Sequence, residues 1–278
     1  MLASKTVAMN NTTTTTTKFS LASRMGAWWA DQRANGEATA LRRRCPPATV
    51  AADQIPASIR SAWALQAPEE LPGLATDDAA WLRCSLGLAQ FFEGCRLQRE
   101  CGPCALPSKA ADSVWHVWLK VDPGGLAVWQ ERYFSRVVEH RGADDLGAPL
   151  DDCLARTWVG ACRSEGKGLL GPQLPLVFAL DGLLCLPTGW AYQHKRGALL
   201  HRQIDGFGQP GGAAFAHASV AAAGLVALGL ISEAELISLR RQQAGDSGGA
   251  TGGPVDAGSC SVSDGGGCSC GSGCGGGS

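Results

Sequence analysis

Residues 108–134 read SKAADSVWHVWLKVDPGGLAVWQERYF, and the fold class turns on this stretch. Ser108 is a good helix N-cap, and Val114, Trp115, Trp118 and Leu119 follow on one helical face that runs to about Val121. Asp122-Pro123 then restarts the chain. Aspartate can cap a new helix, and proline at its first position gives up only an N–H that the helix would leave unbonded anyway. The new helix carries Trp129, Tyr133, Phe134, Val137 and Val138, and Gly142 is the expected stop.

The same pattern continues on both sides. In residues 80–94, Trp81, Leu82, Leu86, Leu88 and Phe92 suit a helix buried over a broad face. Leu150, Leu154, Trp158 and Cys162 recur every four residues or so in a helix that Gly166 ends. Few stretches alternate at period two, so the expected fold is all-α, an irregular multi-helix bundle with disordered N- and C-terminal tails.

The chain has 278 residues, long enough for a sizeable core, and 45% of them are hydrophobic. With 24 basic and 25 acidic side chains, the formal charge of -1 excludes a chain-wide polyanion binder, and no nucleic-acid partner is expected. Three segments are expected: a disordered or linker segment over 1–47, a helical domain over 48–243 and a Gly/Cys-rich disordered tail over 244–278. The first contains six consecutive threonines and the basic run Arg42-Arg43-Arg44, with Met25 as a second candidate start. It has no apolar run suited to a secretory signal, so a cytoplasmic location is expected. The tail has no Leu, Ile, Phe, Trp, Tyr or Met after Gly245, so hydrophobic burial cannot order it.

No membrane span is expected. Residues 174–187 are too short and contain Asp181. Residues 213–231 are mostly Ala and Gly, contain His217, and run into a Gly229 stop followed by the capping box Ser232-Glu-Ala-Glu235. They read as the end of one helix and the beginning of another.

Cys101-Gly-Pro-Cys104 matches the dithiol spacing of thioredoxin-like proteins, but its lead-in is polar and not strand-like. The reading is an inter-helix turn, with redox or metal chemistry as the rival. Gly206-Phe-Gly208-Gln-Pro-Gly211 lacks the preceding strand and following helix of a dinucleotide site and is read as a loop. In the tail, Cys260, Cys268, Cys270 and Cys274 offer four soft ligands that can gather Zn²⁺ or Cu(I).

The most informative element is Asp112-Ser-Val-Trp115-His116. Its i, i+4 spacing lets the carboxylate orient the imidazole while Trp115 enters the core. These residues, with Phe91-Phe92, Trp129, Phe134, His140, Arg156-Thr-Trp158 and the segment ending at Asp181, resemble an uncharacterised bacterial family. That family shares an Asp-x-x-Trp-His helix with the plant glycine-rich domain-containing proteins, and its members often end in Gly/Cys-rich tails. The resemblance implies a fold and no mechanism. One departure is that Glu139-His140 stands where the family usually has paired histidines.

A helical hairpin at residues 122–125 would leave His140 roughly 14 Å beyond the level of His116, at 1.5 Å per residue, so no shared metal is expected. His140 is assigned to a helix C-terminus, where the dipole favours a cation. His194 and His201 are expected to be exposed. The functional expectation is a non-enzymatic helical module that binds an unknown protein or small-molecule partner, with a soft-metal tail. The alternatives are an enzyme using Cys101/Cys104 or Asp112/His116, or a membrane-associated protein using residues 213–231.

Overall fold

The computed structural model describes residues 39–40, 42–195 and 197–246. The expectations for the threonine tract and for Cys260, Cys268, Cys270 and Cys274 lie outside the described residues. Helices α1 (Pro46–Ala52), α2 (Ala57–Glu70) and α3 (Asp78–Leu97) lead to α4 (Lys109–Val121) and α5 (Pro123–Phe134). After a 3-10 turn at Ala143–Asp145 come α6 (Leu150–Glu165) and α7 (Leu176–Leu183). Strands β1 (Trp190–Lys195), β2 (Ala198–Ile204) and β3 (Pro210–His217) then form an antiparallel meander. A 3-10 turn at Ala218–Val220 leads to α8 (Ala222–Ala227) and α9 (Glu233–Asp246).

Local chemistry sets the helix ends. The Ser108 hydroxyl accepts the Ala111 N–H at 3.1 Å, and the Asp122 carboxylate accepts the Gly125 N–H at 2.8 Å. Gly166 closes α6 in the left-handed region at φ +65°, and Ser232 caps α9 by accepting the Glu235 N–H at 3.1 Å.

Helix α3 is the axis of the core, buried over most of its length. Phe92 meets Trp115, Trp129 and Phe134 at ring-centroid distances of 4.9, 5.7 and 5.6 Å, joining α3 to α4 and α5. On its other side α3 approaches α6 closely at Gly94 and Gly160. A Cβ on Gly160 would lie 2.7 Å from the Gly94 backbone, so the contact needs a residue without a side chain.

Asp181 ties the helices to the sheet. It is 1% exposed, and its carboxylate accepts from the Ser108 hydroxyl at 2.6 Å, from the N–H groups of Lys109 and Ala110 at 3.1 Å, and from the Trp190 N–H at 3.0 Å. Burial pushes its pKa up, and these donors pull it back. One carboxylate therefore holds the start of α4 and the start of β1.

The all-α expectation is corrected to a mixed α/β fold by this three-stranded sheet. On β1, Trp190, Tyr192 and His194 alternate onto one face, opposite Gln203, His201 and Leu199 of β2. The Ala/Gly composition of β3 hides its strand character, because a strand is stabilised by cross-strand pairing as much as by propensity. Residues 213–231 accordingly contain the end of β3, a 3-10 turn and the short α8. Among the described residues no helix is long and apolar enough to cross a membrane. The Gly206–Gly211 stretch is the connection from β2 into β3, where the Asp205 carboxylate accepts from the N–H groups of Phe207 and Gln209 at 2.9 Å.

Helix α5 stops at Phe134, eight residues before Gly142, because Ser135 turns left-handed at φ +55°. His194 and His201 are not exposed: His194 is 6% exposed and stacks on Trp158 at 5.3 Å, and His201 is half-buried.

Candidate functional site

Asp112, Trp115 and His116 lie on α4 with Trp115 turned into the core, where it meets Phe91 and Phe92. After Ser135 the chain folds back along α4 instead of continuing away from it. Gln130, buried on α5, accepts the Val138 N–H at 2.6 Å, and Val138 packs on the core. His140 then falls against Trp115, edge to face at 4.6 Å. The expected separation of His116 and His140 is corrected: their ring centroids are 4.6 Å apart, because the hairpin assumption fails at Ser135. His140 therefore sits beside Asp112 and not at a helix C-terminus.

Both imidazoles turn Nε2 to the same carboxylate. His140 Nε2 is 2.9 Å from Asp112 Oδ1, and His116 Nε2 is 3.4 Å from Asp112 Oδ2. Ligand atoms from Asp112, His116 and His140 all lie within 4.8 Å of one another. Two ligands on one zinc ion at about 2.1 Å are roughly 3.4 Å apart in tetrahedral geometry, so little movement would close the three around a cation. The other nitrogen of His116 faces a second acid: Nδ1 is 3.2 Å from Glu70 Oε2 at the end of α2. Lys120 bonds Glu70 in turn, and with His116 it holds the carboxyl below its ordinary range.

The cluster opens onto a cavity of about 340 Å³ lined by Asp112, His116 and His140 together with Phe91, Leu106 and Leu150. An adjoining cavity of about 420 Å³ shares Cys104, Val138, Glu139, Arg141 and Leu146 with it and adds Arg99 and Arg136. Arg141 pairs with Glu139 and Arg99 with Glu100, whereas Arg136 has no ion-pair partner among the described residues. The two cavities adjoin along these shared residues as one cleft, in which the first holds the imidazoles and the carboxylate and the second adds the Arg99 and Arg136 guanidinium groups.

Cys101 and Cys104 stand on the turn between α3 and α4, where Gly102 adopts φ +113°. Cys101 is exposed, and Cys104 is half-buried in the cleft. The thiol that bonds Cys104 is Cys95, from α3. That bond and the positive charges of Arg156 and Arg136 lower the Cys104 pKa, while burial raises that of Cys95. Sequence spacing suggests the 101/104 pair, whereas Cys95 enters through the fold. Gln130 and Glu70 carry no motif either. A polar side chain on the buried face of α5 is the only sequence sign that Gln130 has a partner.

A family model described as UCP032817-like matches residues 53–210, which span α2 to the start of β3 and include the whole of this cleft. No curated protein and no solved structure matches the chain. The match extends over more than half of the 278 residues, and the chain belongs to the UCP032817-like family.

Proposed function

We propose that this protein binds one divalent transition-metal ion through Asp112, His116 and His140 and presents it to a small anionic molecule held in the adjoining cleft. The observation that carries this is the convergence of two Nε2 atoms on one carboxylate, with Glu70 behind His116. Imidazole ligands on metals commonly give their other ring N–H to a carboxylate, which fixes the tautomer and raises ligand basicity. Two histidines and one carboxylate suit zinc or ferrous iron and leave coordination positions open for water or substrate. A metal so held can activate water or polarise a substrate oxygen. Arg136, which has no ion-pair partner among the described residues, supplies the charge that an anionic substrate would meet.

The Asp-x-x-Trp-His helix is, on this reading, what the family has in common with the glycine-rich domain-containing proteins. It supplies two ligands, and Trp115 is the shelf for the third. The tail cysteines Cys260, Cys268, Cys270 and Cys274 would form a separate soft-metal site. The eight cysteines of the described residues are all free thiols, which supports a reducing compartment such as the cytoplasm.

Zinc titration by calorimetry on the full chain tests the proposal, with the four tail cysteines changed to serine so that one site is read. One equivalent should bind, His140→Gln should abolish tight binding, and Glu70→Gln should weaken it by about 10–100-fold. Unchanged affinity in His140→Gln would overturn the assignment.

A further inference from the structure

Away from the cleft, three residues from separate elements form a hydrogen-bonded chain that ends in a cavity. Asp151, in the first turn of α6, has Oδ1 2.7 Å from His217 Nδ1 at the end of β3. His217 Nε2 lies 2.7 Å from His201 Nδ1 on β2. A carboxylate can only accept, so His217 carries its proton on Nδ1, and neutral His217 presents a lone pair at Nε2. His201 must then donate from Nδ1, and its own lone pair is on Nε2. Nothing among the described residues bonds that nitrogen. Burial, and the nearby His217, keep the His201 pKa below the ordinary histidine value against the pull of Asp151, so the ring is a neutral base at physiological pH.

His201 lines a cavity of about 700 Å³ between Trp190 and Phe215, whose rings lie 5.1 and 5.4 Å from its own. The β2–β3 ladder breaks at this point. His201 pairs with Phe215 and Gln203 with Gly211, so residues 212–214 of β3 face only residue 202 of β2. Such a bulge takes backbone N–H groups out of the ladder, and Gly212 and Ala213 line the cavity. Gly212 has φ +70°, which a side chain would strain. No lysine or arginine lines the space, and the Asp205 carboxylate is engaged by its own turn. The chemistry therefore suits an uncharged ligand with an aromatic group.

We propose that His201, oriented by His217 and Asp151, is the general base of a hydrolytic site for uncharged aryl esters. His201 Nε2 takes a proton from water as the water oxygen bonds to the acyl carbon, and the bulge N–H groups receive the developing oxyanion. The bond from acyl carbon to aryl oxygen then breaks. The aryloxide leaves with the electron pair and regains the proton from His201, giving a carboxylic acid and a phenol. The imidazolium formed on the way donates through His217 to Asp151, which stabilises its charge. Asp151 and His217 are positioning residues, and His201 is the catalytic one.

Hydrolysis of p-nitrophenyl acetate by the full chain, with a chelator present so that the Asp112 site plays no part, tests this. Saturable turnover should fall about 100-fold or more in His201→Gln. Asp151→Asn should lower kcat with little change in KM, and Asp151→Glu should restore part of it, a split that a merely structural carboxylate would not give. Nitrogen NMR of the wild-type imidazoles should show His201 protonated on Nδ1. Absence of saturable turnover, equal turnover in His201→Gln, or a His201 proton on Nε2 would each overturn the proposal.

Discussion

Gln130 and Val138 are eight residues apart and share one hydrogen bond, in which the backbone N–H of Val138 donates to the buried amide oxygen of Gln130 at 2.6 Å. That bond fixes the return of the chain after α5 and so determines where His140 lies. Without it, the segment leaving Ser135 is held by the packing of Val138 on the core and by the contacts of His140 with Asp112 and Trp115.

Gln130→Leu should therefore weaken two properties together. The Val138 N–H is partly buried, and a buried N–H left without an acceptor costs about 1–3 kcal/mol, so a loss of up to that size should be read by chemical denaturation. Zinc affinity should also fall, because His140 loses its fixed approach to Asp112. A variant that loses stability but binds zinc as tightly as wild type would show that His140 is positioned by Trp115 alone.

The close approach of α3 and α6 predicts opposite outcomes for its two glycines. A Cβ on Gly160 meets the Gly94 backbone at 2.7 Å, so Gly160→Ala should destabilise by about 1–3 kcal/mol. A Cβ on Gly94 meets its nearest neighbour, the Ala161 nitrogen, at 3.5 Å, an ordinary contact. Gly94→Ala should be neutral, or stabilising by up to about 1 kcal/mol through helix propensity. Thermal melts of the two variants side by side check the asymmetry, and equal losses would contradict it.

His194 predicts a pH dependence. It is buried against Trp158 with no partner for Nε2 among the described residues, and burial holds its pKa below the ordinary 6.5. Between the folded and unfolded values the unfolded chain binds the extra proton, so stability rises with pH across that window and is complete above the unfolded value. It is lost as pH falls through the folded pKa. His201 is shifted in the same direction and adds to the slope. Denaturation midpoints at about pH 7.5 and about pH 5.5 should differ in this sense, and His194→Phe should flatten part of the difference.

The helix starts at Ser108 and Asp122 were legible because capping is local: the residue that signals the cap also makes the bond. The approach of Asp112 to His116 was legible through i, i+4 spacing, although the hydrogen bond of His116 goes to Glu70 instead. His140 was not, since its position depends on a left-handed serine and on Gln130, neither of which has a periodic signature. The sheet was obscured because alanine and glycine in β3 carry little strand preference, while the alternation of Trp190, Tyr192 and His194 is only three residues deep. The Asp151, His217 and His201 chain draws on elements as far as 66 residues apart and cannot be seen in any local window.

The four donors around Asp181 bear on how this protein can be taken apart. Three belong to the start of α4 and the fourth to Trp190 at the start of β1. A cut between α7 and β1 would leave the acid with the helices and take from the strand the acceptor of its first N–H. The same cut would part His194 from Trp158 and His217 from Asp151. The sheet is thus not an appendage that could be transferred to another scaffold or lost without consequence. Shuffling, fusion or truncation at this seam should yield two incomplete pieces, and inheritance would have to carry helices and sheet together.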